Sequence, residues 1–287
     1  DIRDSPRADV EEMLRGIYEK YVDTVGVNGI LNFLEASLCH SEGHPVGKII
    51  YSRLRDLKES IHLAGSRCTN AVYHGVLMEA FATGSEHLDL NRIEDEINRI
   101  CTITEGTALF NMGNCAHGVG HAVMFLSRFD IDYSMQVCKR LTQPALQYYC
   151  ASGAFMEYDG VYGKEDIAKS LHYPCDSLTE FAAACYRYKM HWTVPEMILK
   201  GQEIEDIAKE CMRLERMGRL GCFHGMGLAF LSQIAQSPDK IRTICGFGYL
   251  DDQRMCIEGV IENMADFEEG LAFHVCGYFD SNNRLVC

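Results

Sequence analysis

The chain has 287 residues, 47% of them hydrophobic, which is enough for a substantial buried core and excludes a disordered polypeptide. A formal charge of −14 and a pI near 5.2 oppose binding to nucleic acid or to an anionic membrane surface. No apolar run approaches the ~20 residues of a membrane-spanning helix, and no signal-peptide pattern opens the sequence, so an exported chain has already lost its signal.

Fourteen cysteines are present, no two closer than ten residues, so zinc ribbons, thioredoxin sites and haem attachment are excluded. An even number at this density is high for a reduced cytosolic enzyme and reads as disulfides, placing the protein in an extracellular, periplasmic or lumenal compartment.

Residues 1–37 read as N-terminal helices that pack on a repeat domain spanning 38–287. The repeat emerges when the chain is aligned on its cysteines. Segments open at Cys68, Cys115, Cys150, Cys185, Cys222 and Cys256, and a second series at Cys101, Cys138, Cys175, Cys211, Cys245 and Cys276 precedes the next opener by 10 to 14 residues. An earlier unit, LCHSEGHPVGKIIY at 38–51, fits the frame with Cys39 displaced by one position, giving about seven units.

Within a unit, a first segment such as CAHGVGHAVMFLSRF has apolar residues at helical spacing. The second, such as IEDIAKEC at 204–211, is shorter and amphipathic with acidic residues early. The fold is therefore predicted to be all-α, built of helical hairpins stapled by disulfides and closed into an α/α toroid, with an open α-solenoid as the alternative. Closure is favoured because it brings the first unit's histidines near Glu258 and Glu262 of the last.

Two pairings fit the cysteines: within a hairpin, as Cys115 with Cys138, or across the connection, as Cys138 with Cys150. Consecutive pairing, from Cys39–Cys68 and Cys101–Cys115 through to Cys276–Cys287, leaves no cysteine over and is preferred. Each loop of ~10–14 residues, that is every one but Cys39–Cys68, then contributes roughly 3 kcal/mol in the chain-entropy model.

The chemistry lies in columns. Aligned on the histidine of HG, one column reads His40, His74, His117, Ser152, Arg187, His224, Glu258, and the column four residues on reads His44, Met78, His121, Met156, His191, Leu228, Glu262. Residues four apart share a helix face. The intervening glycines, Gly75, Gly118, Gly153, Gly225 and Gly259, each cost about 1 kcal/mol in a helix interior, which a close approach of neighbouring backbones would offset.

The i,i+4 pairs His40/His44 and His117/His121 have the spacing by which one helix offers two imidazoles to one metal. His40, His44, His74, His117, His121, His224, Glu258 and Glu262 are thus the candidate ligands, for a transition metal such as Cu, Zn or Fe. HExxH is absent, which excludes the usual metalloprotease motif. Glu79 and Glu157 share one further position and are candidates to orient a ligand imidazole or act as general base. Arg187 is a candidate for binding an anionic substrate group.

The pattern predicts an exported metalloenzyme, hydrolytic or oxidative, acting on a small-molecule or peptide substrate. A non-catalytic metal-storage protein and a metal-free interaction scaffold are the alternatives.

Overall fold

The computed structural model describes residues 7–35, 39–68, 70–84, 95, 112–267 and 269–278. Among these the chain is all-helical, with fourteen α-helices and no strands. They are α1 (Arg7–Leu34), α2 (His40–Leu54), α3 (Leu57–Ala64), α4 (Ala71–Gly84), α5 (Met112–Leu126), α6 (Ile131–Cys138), α7 (Pro144–Lys169), α8 (Ala182–Leu199), α9 (Ile204–Met212), α10 (Arg216–Ala229), α11 (Leu231–Gln236), α12 (Ile241–Ile244), α13 (Leu250–Phe267) and α14 (Glu269–Cys276). No described helix is long and apolar enough to cross a membrane.

The chain divides into two compact units, Asp1–Val161 and Tyr162–Cys287, with the boundary inside α7. Short second helices start where the sequence supplies a cap. The Asp56 carboxylate accepts from the Glu59 backbone N–H at the head of α3, and Asp130 from Tyr133 at the head of α6. At α9, Glu203 and Asp206 close a capping box. In the segment after Cys150 the expected turn is missing, because α7 runs unbroken from Pro144 to Lys169. Nothing in SGAFMEYDGVYGKEDIAK supplies a proline or a helix-ending motif strong enough to stop it.

Disulfides join Cys39–Cys68, Cys138–Cys150, Cys175–Cys185, Cys211–Cys222 and Cys245–Cys256, all consecutive pairs; the last four cross a short connection, while Cys39–Cys68 encloses α2 and α3. Cys115 and Cys276 are also oxidised. Their expected partners, Cys101 and Cys287, lie outside the described residues.

Long first helices meet at glycines, where backbone touches backbone. A Cβ placed on Gly75, Gly153, Gly225 or Gly259 would lie within 2.5 Å of the carbonyl oxygen of His44, His117, Arg187 or His224 respectively. These contacts correct the sequence alignment of the first unit. His44, not His40, occupies the position held elsewhere by His117, Arg187 and His224, and Lys48 takes the position of His121. The unit is shifted by one helical turn, and His40 stands a turn earlier on the same face.

In the first unit α1 packs on α2 and braces α4. Arg15 donates to Glu79 (3.2 Å) and to Ser52 Oγ (3.3 Å), and Lys48 Nζ donates to Glu11 Oε2 (2.8 Å). In the second unit α10 packs between α8 and α13, around buried Tyr186, Phe223, Met226 and Ile257.

Candidate metal centre

Helices α2, α4 and α5 bring five imidazoles of the first unit together. His74 on α4 lies in the middle, its ring centroid 5.6 Å from His40, 5.9 Å from His44, 5.2 Å from His117 and 4.6 Å from His121, against which it stacks. His44 and His121 are 5.3 Å apart between centroids. His44, His74 and His121 are fully buried, while His40 and His117 are partly exposed.

Two carboxylates from other helices fix the outermost buried rings. His121 Nδ1–H donates to Glu157 Oε1 of α7 at 2.6 Å, and His44 Nδ1–H donates to Glu11 Oε1 of α1 at 3.4 Å. Assigning the Nδ1 proton in this way makes each Nε2 the ring's lone-pair nitrogen. The His121 Nε2 faces His117 Nε2 at 3.0 Å, the separation of two donors sharing one ion at about 2.0–2.1 Å. The His44 Nε2 and the His74 Nδ1 are buried with no hydrogen-bond partner. Left bare, each such atom costs about 1–3 kcal/mol.

Burial holds the His74 imidazole well below its ordinary pKa, and the four neighbouring histidines push it further the same way. It therefore stays neutral, the form in which imidazole binds metal. Glu11 behaves in the opposite sense. Burial alone would raise its carboxyl, but the hydrogen bond from His44 and the Lys48 ammonium pull it below its ordinary range. A buried carboxylate and a buried ammonium thus neutralise each other beside the histidines, and the Lys48 ammonium also lies 4.5 Å over the Phe125 ring.

The donor atoms resolve into three overlapping triads, each mutually within 4.8 Å: His40, His44 and His74; His74, His117 and His121; His44, His121 and Glu157. All belong to the first unit.

The remaining sequence candidates lie elsewhere. Glu79 accepts from Ser52 Oγ at 2.7 Å and from Arg15, and so is engaged by α1 and α2. Arg187, His224 and Glu262 come together in the second unit. There Arg187 Nη2 donates to Glu262 Oε1 at 2.6 Å and His224 Nε2 lies 3.2 Å from Glu262 Oε2. Burial, then the Arg187 charge, lowers His224 to about 4, against the smaller upward pull of Glu262. The Glu262 carboxyl would rise on burial, but His224 and Arg187 bring it down to about 2. Glu258 is exposed in this unit, its carboxyl raised by partial burial and by Glu262. His191 is exposed.

Glu11 was not signalled by any motif, because α1 lies outside the repeat, and Lys48 stands on α2 at the position where a later unit carries His121.

Fold and site together define a disulfide-stapled helical protein with a buried cluster of imidazoles able to hold a metal. No protein-family model, no curated protein and no solved structure matches the chain.

Proposed function

We propose that this is an exported metal-binding protein whose first unit holds a transition metal through His40, His44, His74, His117 and His121, and that the centre is that of a metalloenzyme. The observation that carries the reading is the convergence of five imidazoles on one another, with buried Nε2 of His44 and Nδ1 of His74 left without any protein partner. Packing alone gives no reason to bury such atoms unpaired. Glu157 and Glu11 supply the carboxylate–histidine–metal arrangement that selects the tautomer and raises ligand basicity.

Export is supported by the oxidised cysteines, which persist in oxidising compartments. Closure of the helices into a toroid is not needed for this reading, since every proposed ligand belongs to the first unit. An enzymatic role rests on the partial exposure of His40 and His117, which gives water or a small substrate a route to an ion whose other ligands are buried. Bound zinc would activate water for hydrolysis, and bound copper or iron would activate dioxygen. In either case Glu157 holds the proton on His121 Nδ1, and the low pKa of His74 keeps that ring a ligand in mildly acidic medium.

Elemental analysis of protein purified without an affinity tag, with its disulfides formed, tests the reading. Copper, zinc or iron retained by the chain, and retained in smaller amount by the variant His117→Ala/His121→Ala with helical circular dichroism unchanged, is the expected result. A wild-type chain that retains none of the three after exposure to each at neutral pH overturns it.

A further inference from the structure

We infer that the centre takes two ions rather than one, an inference that rests on the reading of the cluster as a metal site. Donors around a single ion at 2.0–2.1 Å lie no more than about 4.2 Å apart. Each triad, within 4.8 Å, reaches that spacing by small movements of its own rings, but the six residues gather as separate triads and not as one group. The triads His40/His44/His74 and His74/His117/His121 share only His74.

The framework is duplicated in the same way. Each half has one i,i+4 histidine pair on one helix, His40/His44 on α2 and His117/His121 on α5. Each half also has its own orienting carboxylate from a different helix, Glu11 on His44 and Glu157 on His121. Glu157 further links the halves, its Oε1 lying 3.7 Å from His44 Nδ1 as well as 2.6 Å from His121 Nδ1.

A neutral imidazole has one lone pair, so His74 completes one of the two ions. The other, held by two imidazoles, keeps positions for solvent oxygen or substrate. A two-metal site of this kind clamps the attacking and leaving oxygens of a displacement, or two atoms of a bound diatomic.

Zn(II) and Cu(II) are titrated into the metal-free full-length chain, and the ions retained through dialysis are counted by elemental analysis. The expected result is two equivalents in the wild type and one in each of His40→Ala/His44→Ala and His117→Ala/His121→Ala. The fully loaded Cu(II) protein should show magnetic coupling in its paramagnetic resonance spectrum, and each variant an isolated Cu(II) signal. One retained equivalent in the wild type overturns the two-ion centre and leaves the metal reading standing, whereas no retained metal overturns both. If both double variants keep native circular dichroism and lose all metal, the five imidazoles form one indivisible centre and the two-ion assignment fails. The wild-type count decides the matter on its own should either variant misfold.

Discussion

The carboxylate of Glu157 on α7 lies 2.6 Å from Nδ1 of His121 on α5, and both side chains are buried. The contact exists because Gly153, one turn before Glu157, lets α7 rest on the His117 carbonyl. An orienting carboxylate of this kind typically accounts for about 10–100-fold in metal affinity. Glu157→Gln should therefore weaken metal retention by about that factor in competition with a calibrated chelator. An unchanged affinity would show that His121 needs no orienting partner.

Gly153 itself offers a packing test. An added Cβ would lie 1.9 Å from the His117 oxygen, with only backbone to yield. Gly153→Ala should force α5 and α7 apart, destabilising the chain by about 1–3 kcal/mol as overpacking does. Because His117, His121 and Glu157 ride on those two helices, metal affinity should fall with stability. Urea unfolding and chelator competition on the same sample would show both losses, and a variant as stable as wild type would mean that the helices can slide past the methyl group.

The buried Glu11–Lys48 pair leads to an asymmetric expectation. Removing one partner strands the other charge, a loss of about 3–5 kcal/mol for a buried pair. Glu11→Ala should thus destabilise strongly, while Glu11→Gln/Lys48→Met, which removes both charges, should recover most of the stability. A double variant no more stable than the single one would show that burial, not charge, sets the cost. Denaturant midpoints of the metal-free forms distinguish the outcomes.

In the second unit the pH dependence follows from His224 and Glu262. The folded His224 titrates at about 4, below its ordinary 6.5, so between those values the unfolded chain binds a proton that the folded chain refuses, and stability falls as the pH drops. Glu262 titrates at about 2 when folded against 4.5 ordinarily, so its contribution is complete above 4.5 and is lost as the pH falls further towards 2. Unfolding of the metal-free chain, followed from pH 7 to pH 4, should show declining stability. His224→Gln should flatten the upper part of that decline, and an identical slope in wild type and variant would assign it to other groups.

The histidine spacing was plain in the sequence, because i,i+4 pairs on helices are a local property and His117/His121 carry the signal within five residues. The disulfides were less so: two pairings fitted the sequence, and the consecutive one was preferred only because it left no cysteine over, which the five described bonds follow. The register of the first unit was not plain. Cys39–His40 comes within one residue of the Cys-x-His spacing of the later units, and the backbone contacts of Gly75 with His44 and of Gly47 with Val72 show that His44 is the equivalent residue. Glu11 was invisible for a different reason, being a tertiary contact from a helix with no repeat to mark it. Glu79 and Glu157 looked alike because they share a repeat position. Arg15 separates them, engaging Glu79 and leaving Glu157 to the histidines. His224 and Glu262 looked like further ligands because column membership says nothing about partners. Arg187, a residue of their own unit, takes up Glu262 through a 2.6 Å contact.

None of the described cysteines is a free thiol. With sulfur withdrawn from coordination, the cluster can discriminate between ions only by nitrogen and oxygen donors, and such donors favour copper over zinc and zinc over iron whatever the biological cargo. Which element accompanies the purified chain is then decided by what its surroundings supply during oxidation and folding, so the same polypeptide made in two hosts should emerge carrying two different metals.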